Sequence, residues 1–501
     1  MIGMDAKVSA NVRIRQSHLR RGEMDLIRSE LTLVQKGGEE WGFGPGQVVP
    51  LFTEYGDFVE IPRAYGAALL GDRPWIDETM HGSPIEAHFT KTLRPEQGPL
   101  IDDFMSQMGH RKREDARFGG IFSAACGTGK TVMAIRMICD IGRTAIILVH
   151  TSFLMKQWVD QILAFTDLSP EDVGRIQQDR CEWQGRKICV AMIESLVARE
   201  YERDMYKHFG VAVLDEVHRH GAASWHKAIM RFPARLRIGL SATPRRGDGL
   251  WNIIRWNVGE VLTRATGGEK AKVFQIFTGL DVPHDVYERG DHEINLAKLL
   301  SVVCGSARRN DLIANELVRA VKKGRRVLVL SDRLAHLDAL QALFEAKWEA
   351  DPTLGPLVGV PTKAEAESIS VLMGCDSHAV STGVTFAGPQ EEAEVRIGRY
   401  VGGISDKQIE YARTCNLLFG TLAYAKEGLD DPGMDTLFLV SPKGDVEQPV
   451  GRILRRLEGK GTPIVVDFVD EKIGPCIGFK RKRLKQYAAL GFEVGEIGPR
   501  R

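Results

Sequence analysis

The run AACGTGKT, Ala124 to Thr131, follows a short apolar segment and opens a stretch of helical periodicity. Gly127 and Gly129 permit the tight turn that points successive backbone N–H groups inward from a helix N-terminus, a cradle for phosphate. In such a loop Thr128 belongs to the cradle and Lys130 reaches the β- and γ-phosphates. The Thr131 hydroxyl is offered to Mg²⁺. The residues therefore point to ATP and Mg²⁺ as cofactors. Ala124 stands where the common pattern carries glycine, so the bare motif is a near match.

Outward from the loop, Val132, Ile135, Met137, Ile138 and Ile141 mark one apolar helical face that stops at Gly142. Thr144 to Val149 then reads as a buried strand. Short apolar strands follow at Ile188 to Met192, Val211 to Leu214 and Ile238 to Leu240. From about Leu93 to Ala265 this alternation predicts a parallel sheet covered by helices, with its chemistry at the carboxyl ends of the strands. A second series runs from Ala271 to Val469, with strands expected at Val273 to Phe277, Val327 to Leu330, Leu417 to Phe419, Leu437 to Val440 and Ile464 to Phe468. Helices are expected over Asp311 to Lys323 and Leu334 to Phe344.

The fold class is thus α/β, two tandem parallel-sheet domains (93–268 and 269–478) behind a small N-terminal accessory domain (1–92). The accessory domain is expected to bind DNA. Its pieces ELTLVQ, VVPLF and DFVEIP read as short strands, and GFGPG at Gly42 to Gly46 as a plain turn. Asp351 to Arg396 is polar and irregular, and reads as an insertion. Residues 479–501 read as a basic tail ending in a helix.

Composition sets outer bounds. A chain of 501 residues holds about three domains at roughly 150 residues each. Hydrophobic content of 43% and charged content of 27% suit a soluble globular protein, and no apolar run is long enough to span a membrane. The N-terminus lacks the apolar core of a secretory signal, so a cytoplasmic setting is expected, host cytoplasm if the source is viral. Eight cysteines without a Cys-x-x-Cys pair argue against a zinc site and a disulfide framework. With a net charge of +1, bulk charge does not advertise a polyanion binder, so such a ligand needs a local groove. Basic clusters stand at Arg13 to Arg21, His110 to Arg117 and Lys480 to Lys485. Each alone is more often a solvated face than a binding site.

Three further stretches carry chemistry. Asp215-Glu216-Val217-His218 follows the apolar run Val211 to Leu214. Asp215 there is placed to hold Mg²⁺, and Glu216 to orient the water that attacks the γ-phosphate. His218 is assigned a coupling role, while His220 and His226 lack a metal-ligand framework around them. Ser241-Ala242-Thr243-Pro244 stands at another strand end, where Ser241 and Thr243 can sense γ-phosphate occupancy. Alone it is a good turn sequence. In the second series, Gln448 to Arg456 includes Arg452 and Arg455, whose spacing of three sets them on one helix face as candidate arginine fingers, with Gln448 beside them.

These stretches in this order resemble the superfamily 2 helicases and translocases, whose first motif carries alanine at the position of Ala124. The combination looks closest to the branch of XPB-type DNA helicases, phage UvsW-type helicases and restriction-enzyme motor subunits, over about Leu93 to Asp470. The resemblance implies two RecA-like domains with ATP between them. It assigns Gln97, in Leu93 to Gln97, to the adenine. It assigns Thr151 and Phe153, in His150 to Trp158, to the nucleic-acid backbone, with His150 where proline is usual. It gives Thr421 to the strand and Gly428 and Asp430 to the nucleotide.

The function these readings support is an ATP-dependent DNA helicase or translocase, 3′ to 5′ as the resemblance implies, acting on single-stranded, forked or branched DNA. An RNA helicase and an ATP-switched nucleic-acid interaction protein are the alternatives. A restriction motor subunit would need a nuclease partner, since residues 1–92 hold no nuclease constellation. No membrane partner is expected.

Overall fold

In this computed structural model the described residues are 6–34, 48–108, 118–125, 127–216, 222–242, 251–265, 270–283, 286, 288–289, 293–351, 357–358, 395–402, 404, 408, 411–427, 431–455, 457 and 459–497. The chain divides into two compact units, Met1–Gly267 and Gly268–Arg501.

In the first unit the strand Gly119–Ala124 is buried along its whole length, and the phosphate-loop segment turns directly from it into the helix Lys130–Ile141. Met133, Ala134, Ile135, Met137 and Ile138 form the buried face of that helix, which stops at Gly142 in the left-handed conformation. The eight-stranded sheet runs Arg180–Cys181, Val173–Gln177, Ile188–Met192, Ala145–Val149, Val211–Leu214, Leu236–Ser241, Gly119–Ala124, Val261–Ala265. Only the first pair is antiparallel. Near-continuous apolar strands such as AIILV and VAVL are what a sheet covered on both faces requires.

The second unit repeats the plan with every pairing in its large sheet parallel. Its order is Leu357–Val358, Val395–Tyr400, Leu417–Thr421, Val327–Ser331, Thr436–Leu439, Ile464–Val469, Lys272–Phe277, Glu493–Ile497. If the strands of each six-stranded core are numbered along the chain, both sheets read 3-2-4-5-1-6. The five strands expected in this unit all occur, within one or two residues of the expected bounds, and the helices are Ala307–Lys322 and Leu334–Glu349. Both ends of the 351–396 segment enter the sheet as strands, and most of the remainder lies outside the described residues.

Residues beyond Lys480 correct the sequence reading. The helix expected there is the second half of Gly474–Ala489, but it is followed by an edge strand, Glu493–Ile497, paired with Lys272–Phe277. Burial explains why. Arg483 is sealed against the Asp467 carboxylate, with contacts at 2.9 and 3.0 Å, and Gln275 and the Tyr487 hydroxyl also donate to that carboxylate. Lys480 pairs with Glu496 at 2.9 Å. Two of the five basic side chains of the run are thus committed to carboxylates.

The N-terminal region forms a five-stranded sheet of order Thr53–Tyr55, Phe58–Pro62, Asn11–Arg15, Ala6–Val8, Ile76–Asp77, with helices Glu23–Glu30 and Arg63–Leu70. Gly42 to Gly46 and His110 to Arg117 lie outside the described residues. Two buried guanidiniums tie this sheet to the first parallel domain. Arg63 donates to the Ala234 carbonyl at 2.6 Å. Arg237 donates to the carbonyls of Ala10, Ile229, Phe232 and Asn257 at 2.6–3.1 Å. Carbonyl dipoles only partly replace water, and burial pulls the Arg237 guanidinium down to about 9.

Among the described residues no helix is long and apolar enough to cross a membrane. The six described cysteines are free thiols.

Candidate nucleotide site

Three adjacent parallel strands, Val211–Leu214, Leu236–Ser241 and Gly119–Ala124, set the site. Leu214 pairs with Gly239 and Ser241 with Ser123, so the acid pair, Ser241 and the phosphate loop emerge side by side at the carboxyl edge.

Gly127 and Gly129 have φ of 82° and 87°, values that L side chains rarely adopt. A Cβ on Gly129 would come within 2.4 Å of Gln97 Nε2. Gln97 is buried and splints the loop from behind. Its Nε2 donates to the Thr128 carbonyl at 2.9 Å and its Oε1 accepts from the Arg94 N–H at 2.9 Å. Arg94 in turn donates to the Gly127 carbonyl at 3.3 Å. Thr128 closes the turn, its hydroxyl donating to the Ala125 carbonyl at 2.7 Å.

Opposite the loop, Lys130 Nζ lies 3.5 Å from Glu216 Oε1. Glu216 has φ of 48°, a left-handed conformation costly for a side chain of this kind, and such strain gathers at functional turns. Its neighbour Asp215 is buried, and one carboxylate oxygen accepts the Trp158 indole N–H at 2.8 Å. Burial, then the Glu216 charge, raise the Asp215 carboxyl to about 6, against the opposing pull of Trp158 and Lys130. A cation supplied to this site would relieve both costs. Among the described residues no three His, Cys, Asp or Glu side chains gather as a metal cage. Mg²⁺ bound with phosphates needs one or two protein ligands besides water, a demand that Asp215 and the Thr131 hydroxyl fit.

Trp158 closes the His150 to Trp158 motif, which was assigned to the nucleic-acid backbone and not to this site. It projects from the helix Ser152–Phe165, whose N-cap is Thr151. The Thr151 hydroxyl oxygen accepts the Leu154 N–H at 3.2 Å, and Phe153 is half-buried in the first turn. One helix therefore begins at the expected nucleic-acid contact and hands Trp158 to Asp215.

In the second unit Thr421 ends the Leu417–Thr421 strand, its hydroxyl accepting the Tyr424 N–H at 3.4 Å. Arg452 lies in the last turn of the helix Glu447–Ile453, whereas Arg455 lies beyond its C-cap, Leu454. The two arginines thus do not share a helix face. The Lys460 ammonium donates to the carbonyls of Ile453 and Arg455 at 2.7 and 2.6 Å and ends the helix there. Both guanidiniums still act on the buried Tyr400 hydroxyl: burial and Tyr424 raise its pKa, and Arg452, Arg413 and Arg455 oppose the rise. His218, Thr243, Gly428, Asp430 and the Gln448 side chain lie outside the described residues. His226 is a core residue held by Asn257 at 3.0 Å.

Residues 90–246 match the model of the type III restriction enzyme res subunit. That stretch holds the phosphate loop, the acid pair and Ser241. Over these residues the chain is similar to that family, which lies among the superfamily 2 helicases. A putative ATP-dependent RNA helicase of Acanthamoeba polyphaga mimivirus is 27% identical over 454 residues, 89% of this chain and 77% of its own. Transcript termination protein A18 of rabbitpox virus is 23% identical over 447 residues, 82% of this chain and 81% of its own. Among solved structures, the ATP-dependent type ISP restriction-modification enzyme LlaBIII bound to DNA aligns with a TM-score of 0.53 and 14% identity, over 82% of this chain and 32% of that one. The fold is that of the helicases, two RecA-like parallel-sheet domains in tandem.

Proposed function

We propose that the protein is an ATP-driven DNA helicase or translocase that moves 3′ to 5′ and unwinds or remodels duplex and branched DNA. The observation that carries this reading is Lys130 and the Asp215-Glu216 pair gathered at the phosphate loop, on a helicase fold.

In this reading the Gly127–Lys130 backbone and the Lys130 ammonium hold the phosphates, and Gln97 with Gly428 and Asp430 holds the base and ribose. Thr131 and Asp215 would hold Mg²⁺, which would supply neutralising charge to the phosphates. Glu216 orients the attacking water. Gln448, Arg452 and Arg455 stabilise charge on the transferred phosphoryl group. Ser241, Thr243 and His218 pass the state of the site to Thr151, Phe153 and Thr421, which grip the strand. Because these grips are on the backbone, binding depends steeply on salt and little on sequence.

A second reading, an RNA substrate, is favoured by the names of the mimiviral and poxviral relatives. DNA is favoured by the restriction-subunit model and by the DNA-bound fold neighbour. Strand displacement on forked DNA with either a 3′ or a 5′ tail, and on matched RNA forks, decides between them. Displacement of the 3′-tailed DNA fork is expected. Displacement of RNA forks alone assigns the substrate to RNA, and no displacement of any fork overturns the helicase reading.

A further inference from the structure

Between the N-terminal region and the first parallel domain lies an open cleft of about 500 Å³. Three helices frame it, Glu23–Glu30, Arg63–Leu70 and Trp251–Val258. Each brings one row of residues four apart to the cleft: Leu26 with Glu30, Ala64 with Ala68, and Asn252 with Trp256. Rows of this kind are the ridges between which a further helix lays its own. The alanines keep their row low, so a visiting backbone can come close. Leu26 is 42% exposed and Ala68 is also exposed, while Ala64 and Trp256 are half-buried. The Trp256 ring meets Tyr65 edge to face, with centroids 5.5 Å apart.

The charges that line the cleft do not balance. Arg255 and Glu260 form an ion pair with each other. Glu30 has no such counterpart: one of its oxygens accepts the Tyr65 hydroxyl at 2.8 Å, and among the described residues no cation pairs with it. Two arginines nearby in the N-terminal region are committed elsewhere, Arg28 to Glu54 at 2.8 Å and Arg73 to Glu23 at 2.9 Å. The cleft therefore presents apolar helix faces and one uncompensated carboxylate. An apolar ridge that carries a cation complements both, and an amphipathic helix laid in a groove is the common form of such a ridge.

We propose that this cleft receives an amphipathic helix of a partner protein, with two apolar residues one turn apart seated over Ala64 and Ala68 and a lysine or arginine meeting Glu30. The test uses the full chain and a displayed library of helical peptides randomised along one face, with the variants Ala68→Trp, Glu30→Gln and Glu30→Arg. Ala68 is exposed, so tryptophan there fills the cleft without entering the core. Glu30→Gln removes the charge and keeps an oxygen for the Tyr65 hydroxyl. Thermal unfolding midpoints should match the wild type in all three. Peptides recovered on the wild type should carry an apolar pair four residues apart and a basic residue. In anisotropy titrations they should bind Ala68→Trp at least ~10-fold more weakly and Glu30→Gln about threefold more weakly. Exchanging their basic residue for glutamate should restore binding to Glu30→Arg. No enrichment on the wild type over Ala68→Trp overturns the proposal, as do recovered peptides indifferent to both changes at Glu30. Self-association of the wild type that Ala68→Trp abolishes also overturns it, and gives the cleft to a second copy of this chain.

Discussion

The indole N–H of Trp158 engages one carboxylate oxygen of Asp215, the residue proposed to hold Mg²⁺. A buried hydrogen bond to a carboxylate contributes about 1.5–3 kcal/mol. Trp158→Phe keeps an aromatic ring in the core and removes the donor, so ATP turnover should fall about tenfold or more and half-maximal activity should need more Mg²⁺. Steady-state ATPase against Mg²⁺ concentration measures both. Unchanged Mg²⁺ dependence would mean that Asp215 needs no such orientation.

Glu316 is buried, and burial outweighs Arg319, which donates to it at 3.1 Å, so its carboxyl is raised to about 8. A carboxyl raised in the folded state contributes stability below its ordinary pKa and loses it as pH climbs toward 8. Glu316→Gln should therefore raise the unfolding midpoint relative to wild type at pH 9 and leave it nearly level at pH 5, as read by thermal denaturation. The place of the acid pair at a strand end was legible in the sequence because it directly follows an apolar run. Trp158 was not, since its bond to Asp215 spans 57 positions. Nor was the left-handed turn at Glu216, which local preference opposes.

At the scale of elements, the apolar strands and the amphipathic helices were legible because their side chains face only core. The edge strand EVGEI, Glu493–Ile497, was not, because it is largely exposed and shows no apolar alternation. The spacing of Arg452 and Arg455 predicted one helix face, and a lysine capping two carbonyls from five and seven residues away ended the helix between them. The helix Gly474–Ala489 depends on a buried pair that sequence displayed only as one more basic residue. Removing one partner of such a pair leaves the other charged and dry, at about 3–5 kcal/mol. Asp467→Ala should therefore destabilise the second unit by that amount in urea unfolding, far more than Lys482→Ala on the same helix. Equal effects would make the pair dispensable.

At the level of the whole chain, two sheets whose six-stranded cores share one strand order were foreseen as two tandem parallel-sheet domains. The first also carries the N-terminal sheet, fastened through Arg63 and Arg237. Residues 1–267 hold the whole phosphate loop and acid pair within one compact unit. Expressed alone, this unit should bind ATP and hydrolyse it at least ~100-fold more slowly than the full chain, since Arg452 and Arg455 are missing and fingers of this kind contribute about 10³–10⁵ in turnover. ATPase as fast as that of the full chain would remove those arginines from the chemistry. The central claim, nucleic-acid-stimulated ATP hydrolysis through Glu216, is tested most directly by ATP binding and ATPase of the full chain and of Glu216→Gln, with and without single-stranded DNA. Hydrolysis in the wild type should be stimulated by DNA, and Glu216→Gln should keep its ATP affinity with turnover reduced about 100-fold or more. Wild-type turnover in Glu216→Gln would contradict the claim.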